Sequence, residues 1–373
     1  MTTVPQSTCD ALFVTGATGL LGGLALRRLV AASPRRRVYA LVRDPARWAM
    51  VASRLGVGGI APVRGDVTLP ALGISAADRA RLARDVGAVL HCAADTTFSR
   101  PLAESRAVNR DGTAHVLELA DGWPRVARVA YVSTAFVAGR RTGLVPECAA
   151  SDDAGWVNAY EQSKAEAESL VRAWRGEWTI LRPSTVVCDD ERGAVTQHNA
   201  VHRALRLCHA GLAAMMPCGE GSALDVVPAD YVADAIAALA FAPDLAGATA
   251  HLCAGGRAMP LAELLDVTYA IFARDPAWRR RDIARPALTD AATYALFERA
   301  VEETGDARLR RVTRSLSHFI PQLALPKCFD TAVADRALGR PAPSPGAYWP
   351  RMVERLVESW SAATPLPLPR EAA

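Results

Sequence analysis

Lysine is almost missing from this chain of 373 residues: Lys164 and Lys327 stand against 41 arginines among 43 basic side chains. Arginine supplies nearly all the positive charge, and that bias, like the alanine enrichment, reads as base composition with no functional meaning of its own. Net charge is only +4 and no long basic run occurs, which argues against a nucleic-acid protein. Cys-x-x-Cys spacing is absent too. The eight cysteines (Cys9, Cys92, Cys148, Cys188, Cys208, Cys218, Cys253, Cys328) are scattered, so they read as small buried apolar residues in a reducing compartment. No apolar run reaches the roughly 18 residues of a membrane span, and the alanine-rich stretch 232–242 is broken by Asp234. Met1–Asp10 is polar and lacks the apolar core of a signal peptide. A cytoplasmic protein without a membrane span is expected.

What is present is enough apolar material, 50% of the residues, for a large core and a second subdomain. Over the first 185 residues, short β-like runs alternate with helical patterns. Ala11–Thr15, Val38–Val42, Ile60–Arg64, Ala88–His91, Val126–Val132 and Thr179–Leu181 read as strands. Leu20–Ala32, Asp78–Arg84, Ala103–Ala120 and Ala159–Trp174 read as helices. This alternation predicts the α/β class, with a Rossmann-type doubly wound parallel sheet. After Arg182-Pro183 the regularity fades. Helical patterns return at 198–210 and 230–241, His251–Cys253 is strand-like, and 256–373 reads mostly helical with proline breaks. The expected organisation is a dinucleotide-binding domain over 1–185, rejoined by 225–255. Residues 186–224 and 256–373 then form a smaller, mostly helical substrate-binding cap, and the Pro-rich end Thr364–Ala373 is expected to fray.

Directly after the first strand comes Thr15-Gly16-Ala17-Thr18-Gly19-Leu20-Leu21-Gly22, opening a helix. Glycines at this spacing permit a tight turn, close approach of backbone to a pyrophosphate, and close helix–strand packing, with the phosphates on the helix N-terminus. Thr15, Gly16, Thr18, Gly19, Leu20 and Leu21 are therefore expected to line a dinucleotide. At the end of the second strand, where an acid would grip a ribose 2′-hydroxyl, stands Arg43. That choice suits a 2′-phosphate and favours NADPH over NADH, although Asp44 follows it directly. Arg54, a helix further on, is a second candidate for the 2′-phosphate. Asp66 and Val67 are placed to meet the adenine, and Cys92, Ala93 and Ala94 are small where the dinucleotide must pass.

One of the two lysines sits at a Tyr-x-x-x-Lys spacing, in Tyr160-Glu161-Gln162-Ser163-Lys164. Residues four apart share a helix face, so phenol and ammonium can converge on one ligand. The nearby ammonium is expected to lower the phenol pKa and make Tyr160 a proton donor for a carbonyl oxygen.

In this order, the glycine turn, Gly65-Asp66-Val67, His91-Cys92-Ala93-Ala94, Asn109, Tyr131-Val132-Ser133-Thr134, Tyr160/Lys164 and Leu181-Arg182-Pro183-Ser184 together resemble the extended short-chain dehydrogenases/reductases. Within them, the stretches His91–Phe98, Tyr131–Gly139 and Val227–Asp234 look most like the thioester-reductase and fatty acyl-CoA reductase (male-sterility-type NAD-binding) branch. The likeness spans roughly residues 12–255. It implies that Tyr160 donates the proton, that Lys164 holds the nicotinamide ribose, and that the Thr134 hydroxyl meets the developing oxyanion. It also implies that Ser133 and Asn109 support the cofactor site and that Pro183, Ser184, Thr185 and Val186 line the nicotinamide. The activity implied is NADPH-dependent reduction of an acyl thioester to an aldehyde, with an alcohol as a further product. The implied partner is an acyl or peptidyl carrier protein bearing a phosphopantetheine thioester, met in trans, or else an acyl-CoA.

Two other enzyme readings stay open on the residues: a ketone or aldehyde reductase, and a nucleotide-sugar epimerase or dehydratase. Against the sugar dehydratases, Ala135-Phe136 follows Thr134 where they carry Asp-Glu. A dinucleotide sensor would be expected to lose the Tyr/Lys pair. His198 and His202 have the spacing of a helical metal pair, but hydride chemistry needs no metal and a cap-facing helix explains them. His91 reads as structural, and Arg279-Arg280-Arg281 as solvated surface rather than a carrier contact.

Overall fold

Seven segments with nearly unbroken apolar runs form one parallel sheet in the computed structural model, which describes residues 11–56 and 58–362. They are β1 (Ala11–Thr15), β2 (Val38–Val42), β3 (Ile60–Arg64), β4 (Val86–His91), β5 (Arg128–Val132), β6 (Glu177–Pro183) and β7 (Ala248–Leu252). The strand order is β7-β6-β5-β4-β1-β2-β3, so the winding reverses between β1 and β4. In open α/β sheets the ligand crevice lies at the carboxyl ends of the strands beside such a reversal.

Strand periodicity assigns the side chains to two cores. Leu12, Val14, Ala40, Val42, Leu90 and Ala130 lie in the first, under helices α1 (Leu20–Ala32) and Ala229–Leu239. Ala11, Phe13, Tyr39, Leu41, Val89 and Tyr131 lie in the second, under Asp111–Asp121 and the helix Ala159–Ala173. Burial on both faces explains why the strands are almost wholly apolar and hard to tell from buried helix by pattern alone. Both sheet edges are blunted. Pro62 lies on β3, an edge strand, where its missing N–H costs no ladder bond. Along β7, the Glu147 carboxylate accepts the backbone N–H groups of His251 and Val333, both at 2.7 Å, and so covers the other edge.

Three features differ from the sequence expectation. A helix, α2 (Pro45–Leu55), follows β2, with the Asp44 side chain accepting the Ala46 N–H at its N-cap, Pro45 at N1, and Gly56 at φ +61° ending it. The stretch expected as one helix over 103–120 is two, Leu102–Asn109 and Asp111–Asp121, meeting at Arg110. Part of the region assigned to the cap packs back against the sheet, although its strand lies in a separate two-stranded sheet. Lys327–Phe329 pairs in parallel with Gly143–Val145, and the helix Ala332–Leu338 packs on β7 with Ala334 fully buried in the first sheet core. These are long-range pairings of short segments, which local pattern does not reveal. Cys9 and Thr364–Ala373 lie outside the described residues. The rest of the cap has its own core, in which Leu205, Leu264, Phe272, Trp349 and Met352 are buried together.

Sheet and helix are joined by a buried ion pair. Arg182 at the end of β6 donates to both oxygens of Glu168 at 2.8 and 2.6 Å, with side chains only 2% and 1% exposed. Burial alone would raise the Glu168 carboxyl, but the charge and hydrogen bonds of Arg182, with Ser133 and the Arg172 charge, together outweigh it and hold the group below the ordinary 4.5. A depressed folded pKa means that the stabilisation is complete above the unfolded carboxyl's range and fades as pH falls through the folded value. Glu168→Gln is expected to cost about 3–5 kcal/mol in urea unfolding at neutral pH, because it leaves a buried guanidinium uncompensated. It should also flatten the acid limb of the stability–pH curve, and an unchanged limb would show that this carboxylate does not carry the linkage.

Candidate active site

The sheet's reversal point is filled by the glycine turn. Gly16 has φ +74°, and a Cβ there would lie 2.6 Å from the backbone of Cys92 and Ala93. One on Gly22 would lie 2.3 Å from the Gly16 carbonyl oxygen, so the turn, α1 and the end of β4 meet through bare backbone. Gly19 caps α1 without a side chain, leaving the first N–H groups of the helix for an incoming anion. Thr18, Leu20 and Leu21 are half-buried along this turn and Gly19 is exposed. The Thr15 hydroxyl is turned inward instead, accepting the Ala93 N–H at 3.2 Å and lying 2.6 Å from His91 Nδ1.

His91 is locked in the same chain of contacts. Its Nε2 lies 3.0 Å from the Thr113 hydroxyl, which donates to the Asn109 carbonyl at 2.6 Å. That leaves Nδ1 to accept from Thr15. Burial, and then the Lys164 charge, push its pKa down to about 3, so the ring is neutral and structural. Asn109 is 1% exposed and spends its amide within the protein. It accepts the Asp95 N–H at 2.8 Å and donates to the Asp95 carbonyl and the Ser163 hydroxyl, each at 3.0 Å. It thereby pins the loop beginning at Cys92 to the helix that carries Tyr160 and Lys164.

Around the expected catalytic residues the structure is tight. Tyr160 lies in the first turn of Ala159–Ala173, where the Asn158 side chain caps the helix by accepting the Glu161 N–H at 3.0 Å. Lys164, 1% exposed, donates to the Val132 carbonyl at 2.9 Å and lies 4.1 Å from the centre of the Tyr131 ring. Burial lowers its pKa to about 7. The Thr134 side chain accepts the Phe136 N–H at 3.2 Å and lies near enough to the Tyr160 phenol to lower its pKa. Phe98 covers the phenol, with ring centres 5.3 Å apart. The expected lowering of the phenol pKa is not found. Burial raises it to about 12, more than Thr134 lowers it, and the Glu161 and Asp95 charges add to the rise. A phenol protonated at neutral pH is still the state a proton donor needs.

Elsewhere the expected residues are sorted by the fold. Arg43 is exposed at the carboxyl end of β2, and Asp44 is engaged as the α2 cap. Arg54 is exposed in the last turn of α2, and its neighbour Leu55 packs toward Gly23, directly after the glycine turn. Arg47, in the first turn of α2, is exposed as well. Asp66 accepts both the N–H and the hydroxyl of Thr68 at 2.9 Å, and Val67 is buried against Gly112. Ser133 bonds through its N–H to the Leu181 carbonyl at 2.7 Å, and Pro183–Val186 runs from the end of β6 beside it. The Thr185 hydroxyl is buried with no partner among the described residues.

His202 is engaged by the protein: Nδ1 accepts the Asn199 N–H at 2.9 Å and Nε2 donates to the Val187 carbonyl at 2.7 Å. Arg281 donates to the last carbonyls of the helix Ala200–Ala210. Among the described residues no group of three potential ligands could hold a metal, and no helix is long and apolar enough to cross a membrane. The bare-backbone turn, the uncapped helix start and the orphaned Thr185 hydroxyl together fit a nicotinamide dinucleotide.

Fold and site thus define a Rossmann sheet whose glycine turn has the form of a dinucleotide cradle. A family profile described as male sterility protein, an NAD-binding family, matches residues 14–236, more than half of the chain. The chain belongs to that family. It is 29% identical over 256 residues to the non-canonical nonribosomal peptide synthetase cpsA of Aspergillus campestris, covering 60% of this chain and 24% of that protein. It is 27% identical over 221 residues to the fatty acyl-CoA reductase wat of Drosophila melanogaster, covering 47% of this chain and 43% of that one. The chain therefore spans less than half the length of either relative. The terminal R domain from the myxalamid PKS-NRPS pathway superposes with TM-score 0.78 at 26% identity, covering 98% of this chain and 94% of that one.

Gly16→Ala is expected to weaken dinucleotide binding at least about tenfold, because the added carbon must displace the Cys92–Ala93 backbone. Fluorescence titration with the reduced dinucleotide checks it, and wild-type affinity in a folded variant would refute the cradle.

Proposed function

We propose that this chain is an NADPH-dependent reductase of acyl thioesters, acting on a group carried by the phosphopantetheine of a carrier protein or by CoA and releasing it as an aldehyde. The observation that carries the reading is the Thr134–Tyr160 hydroxyl pair, set beside the buried Lys164 at the carboxyl end of the sheet. The carrier is proposed from the synthetase relatives and the R-domain likeness that spans nearly the whole chain.

The glycine turn and the start of α1 would hold the pyrophosphate, with Arg43 and Arg47 on the 2′-phosphate and Asp66 and Val67 by the adenine. Lys164 would meet the ribose, and Pro183–Val186 would line the nicotinamide. When bound, the reduced nicotinamide supplies the hydride. Thr134 and Tyr160 donate hydrogen bonds to the thioester carbonyl oxygen, and these strengthen as charge develops there. Tyr160 passes its proton to that oxygen. Collapse of the thiohemiacetal breaks the C–S bond, returns the proton from the hydroxyl, and releases aldehyde and free thiol. One hydride and one proton are consumed. Neither Thr134 nor Tyr160 needs to be ionised beforehand, which agrees with the raised phenol pKa.

Incubation with NADPH and a panel of acyl-pantetheine and acyl-CoA thioesters, read by mass spectrometry, is expected to yield aldehyde or alcohol. No product from any thioester, with free ketones reduced instead, would sink the proposal. Tyr160→Phe should lower kcat about 100-fold or more, in the range of a lost general acid, while NADPH still binds. Arg43→Ala combined with Arg47→Ala is expected to raise KM for NADPH at least about tenfold and leave KM for NADH nearly unchanged, reversing any preference for the phosphorylated cofactor. Equal effects on both cofactors would place the 2′-phosphate elsewhere.

A further inference from the structure

The chain's other lysine is half-buried in a polar cluster that includes Glu161, the residue after Tyr160. Lys327 donates to the Gly139 carbonyl at 2.6 Å and to the Gln322 side-chain oxygen at 2.8 Å. The Gln322 amide in turn donates to Glu161 Oε1 at 2.6 Å. Glu161 is fully buried and directly follows Tyr160. It also accepts the Val157 N–H at 2.9 Å and the Asn158 side-chain amide at 3.1 Å, so its carboxylate organises the entry of the Tyr160 helix. Gly139 closes the short turn Ala135–Ala138 that Thr134 caps. Its φ is +58°, and a Cβ there would lie 2.2 Å from the Gly155 carbonyl oxygen, so the direction of its own carbonyl depends on the absence of a side chain.

We propose that Lys327, Gln322 and Glu161 form a positioning bridge that sets the Thr134 turn against the start of the Tyr160 helix and ties both to the segment 318–329. The bridge rests on the reductase reading above. No direct ion pair joins Lys327 and Glu161 among the described residues. They act through one amide, whose carbonyl faces the ammonium and whose NH2 faces the carboxylate, so the orientation of Gln322 is dictated at both ends. Parallel contacts make the same connection. The Gly143 N–H donates to the Pro326 carbonyl at 2.8 Å, and the Asn158 amide donates to the His318 carbonyl at 3.2 Å.

A compact ammonium suits the spot, since it must reach two oxygens on different segments where a planar guanidinium would need more room. Burial pushes Glu161 up to about 7 and Lys327 down to about 8, the strain expected of charges kept in the interior. Apolar side chains of similar volume would join the same segments at less desolvation cost. What the polar chain adds is direction: each bond holds only at one separation and angle. The oxygen of a reacting carbonyl must meet Thr134 and Tyr160 together, so their separation is the quantity under control. These three are positioning residues, because the catalytic hydroxyls are the groups that touch substrate.

The test compares Lys327→Met, Gln322→Leu and the double variant Glu161→Gln/Lys327→Met, which leaves no lone buried charge and keeps the test sound if the single variant fails to fold. The readouts are kcat with NADPH and thioester per folded protein, NADPH affinity, and hydrogen exchange of peptides covering 134–143 and 157–164. Expected are a kcat about 10- to 100-fold lower, NADPH affinity within about twofold of wild type, and faster exchange confined to those two segments. A folded double variant with wild-type kcat and exchange would overturn the bridge, as would exchange rising evenly across the whole sheet. A wild-type protein that binds NADPH but reduces no thioester would defeat the functional reading alone, and the exchange measurement would still decide the bridge.

Discussion

The architecture turns on one ammonium buried without a salt bridge among the described residues. Lys164 reaches through the interior from its helix to the Val132 carbonyl at the end of β5 and rests against the face of Tyr131. A cation in that position is tolerated only if the surrounding dipoles are fixed, because desolvation already lowers its pKa to about 7. The fixing is done in layers. The Arg182–Glu168 pair anchors the same helix to β6. Asn109 ties that helix, through Ser163, to the loop after β4. His91, neutral and held between two threonine hydroxyls, closes the gap under the glycine turn. Loosening any layer would let water reach the ammonium and change the charge that the site presents.

The same principle of buried polar groups with assigned partners recurs at the edges. Glu147 holds β7 and the returning segment at Val333, and the His251 ring lies between Arg182 and the Asp330 carbonyl. The cap is thus attached to the sheet by specific hydrogen bonds as well as by apolar packing. Such bonds specify one arrangement of segments far apart in sequence, because a half-satisfied buried network costs more than an apolar one.

Much of this was legible beforehand, and the reasons differ by residue. The glycine turn was readable because each glycine answers a steric demand that any side chain would violate, as the Gly16 and Gly22 clearances show. Tyr160 and Lys164 were readable from helical spacing together with the scarcity of lysine. The helix α2 was overlooked, although Asp44 at its N-cap and Pro45 at N1 mark its start. The phenol's pKa misled for a different reason: spacing showed that an ammonium was near, but not that burial would outweigh it.

By itself the sequence determined the strands and helices of the sheet half, the glycine turn, and the helical Tyr160/Lys164 pair on which the proposed reaction rests. These depend on local sterics and on periodicities a few residues long. Only the tertiary structure decided where Lys327–Leu338 belongs and how Glu161 comes to share an amide with a lysine 166 positions away. Those outcomes depend on pairings between distant segments and on the dielectric that the packed chain creates, and neither quantity exists until the chain has closed on itself.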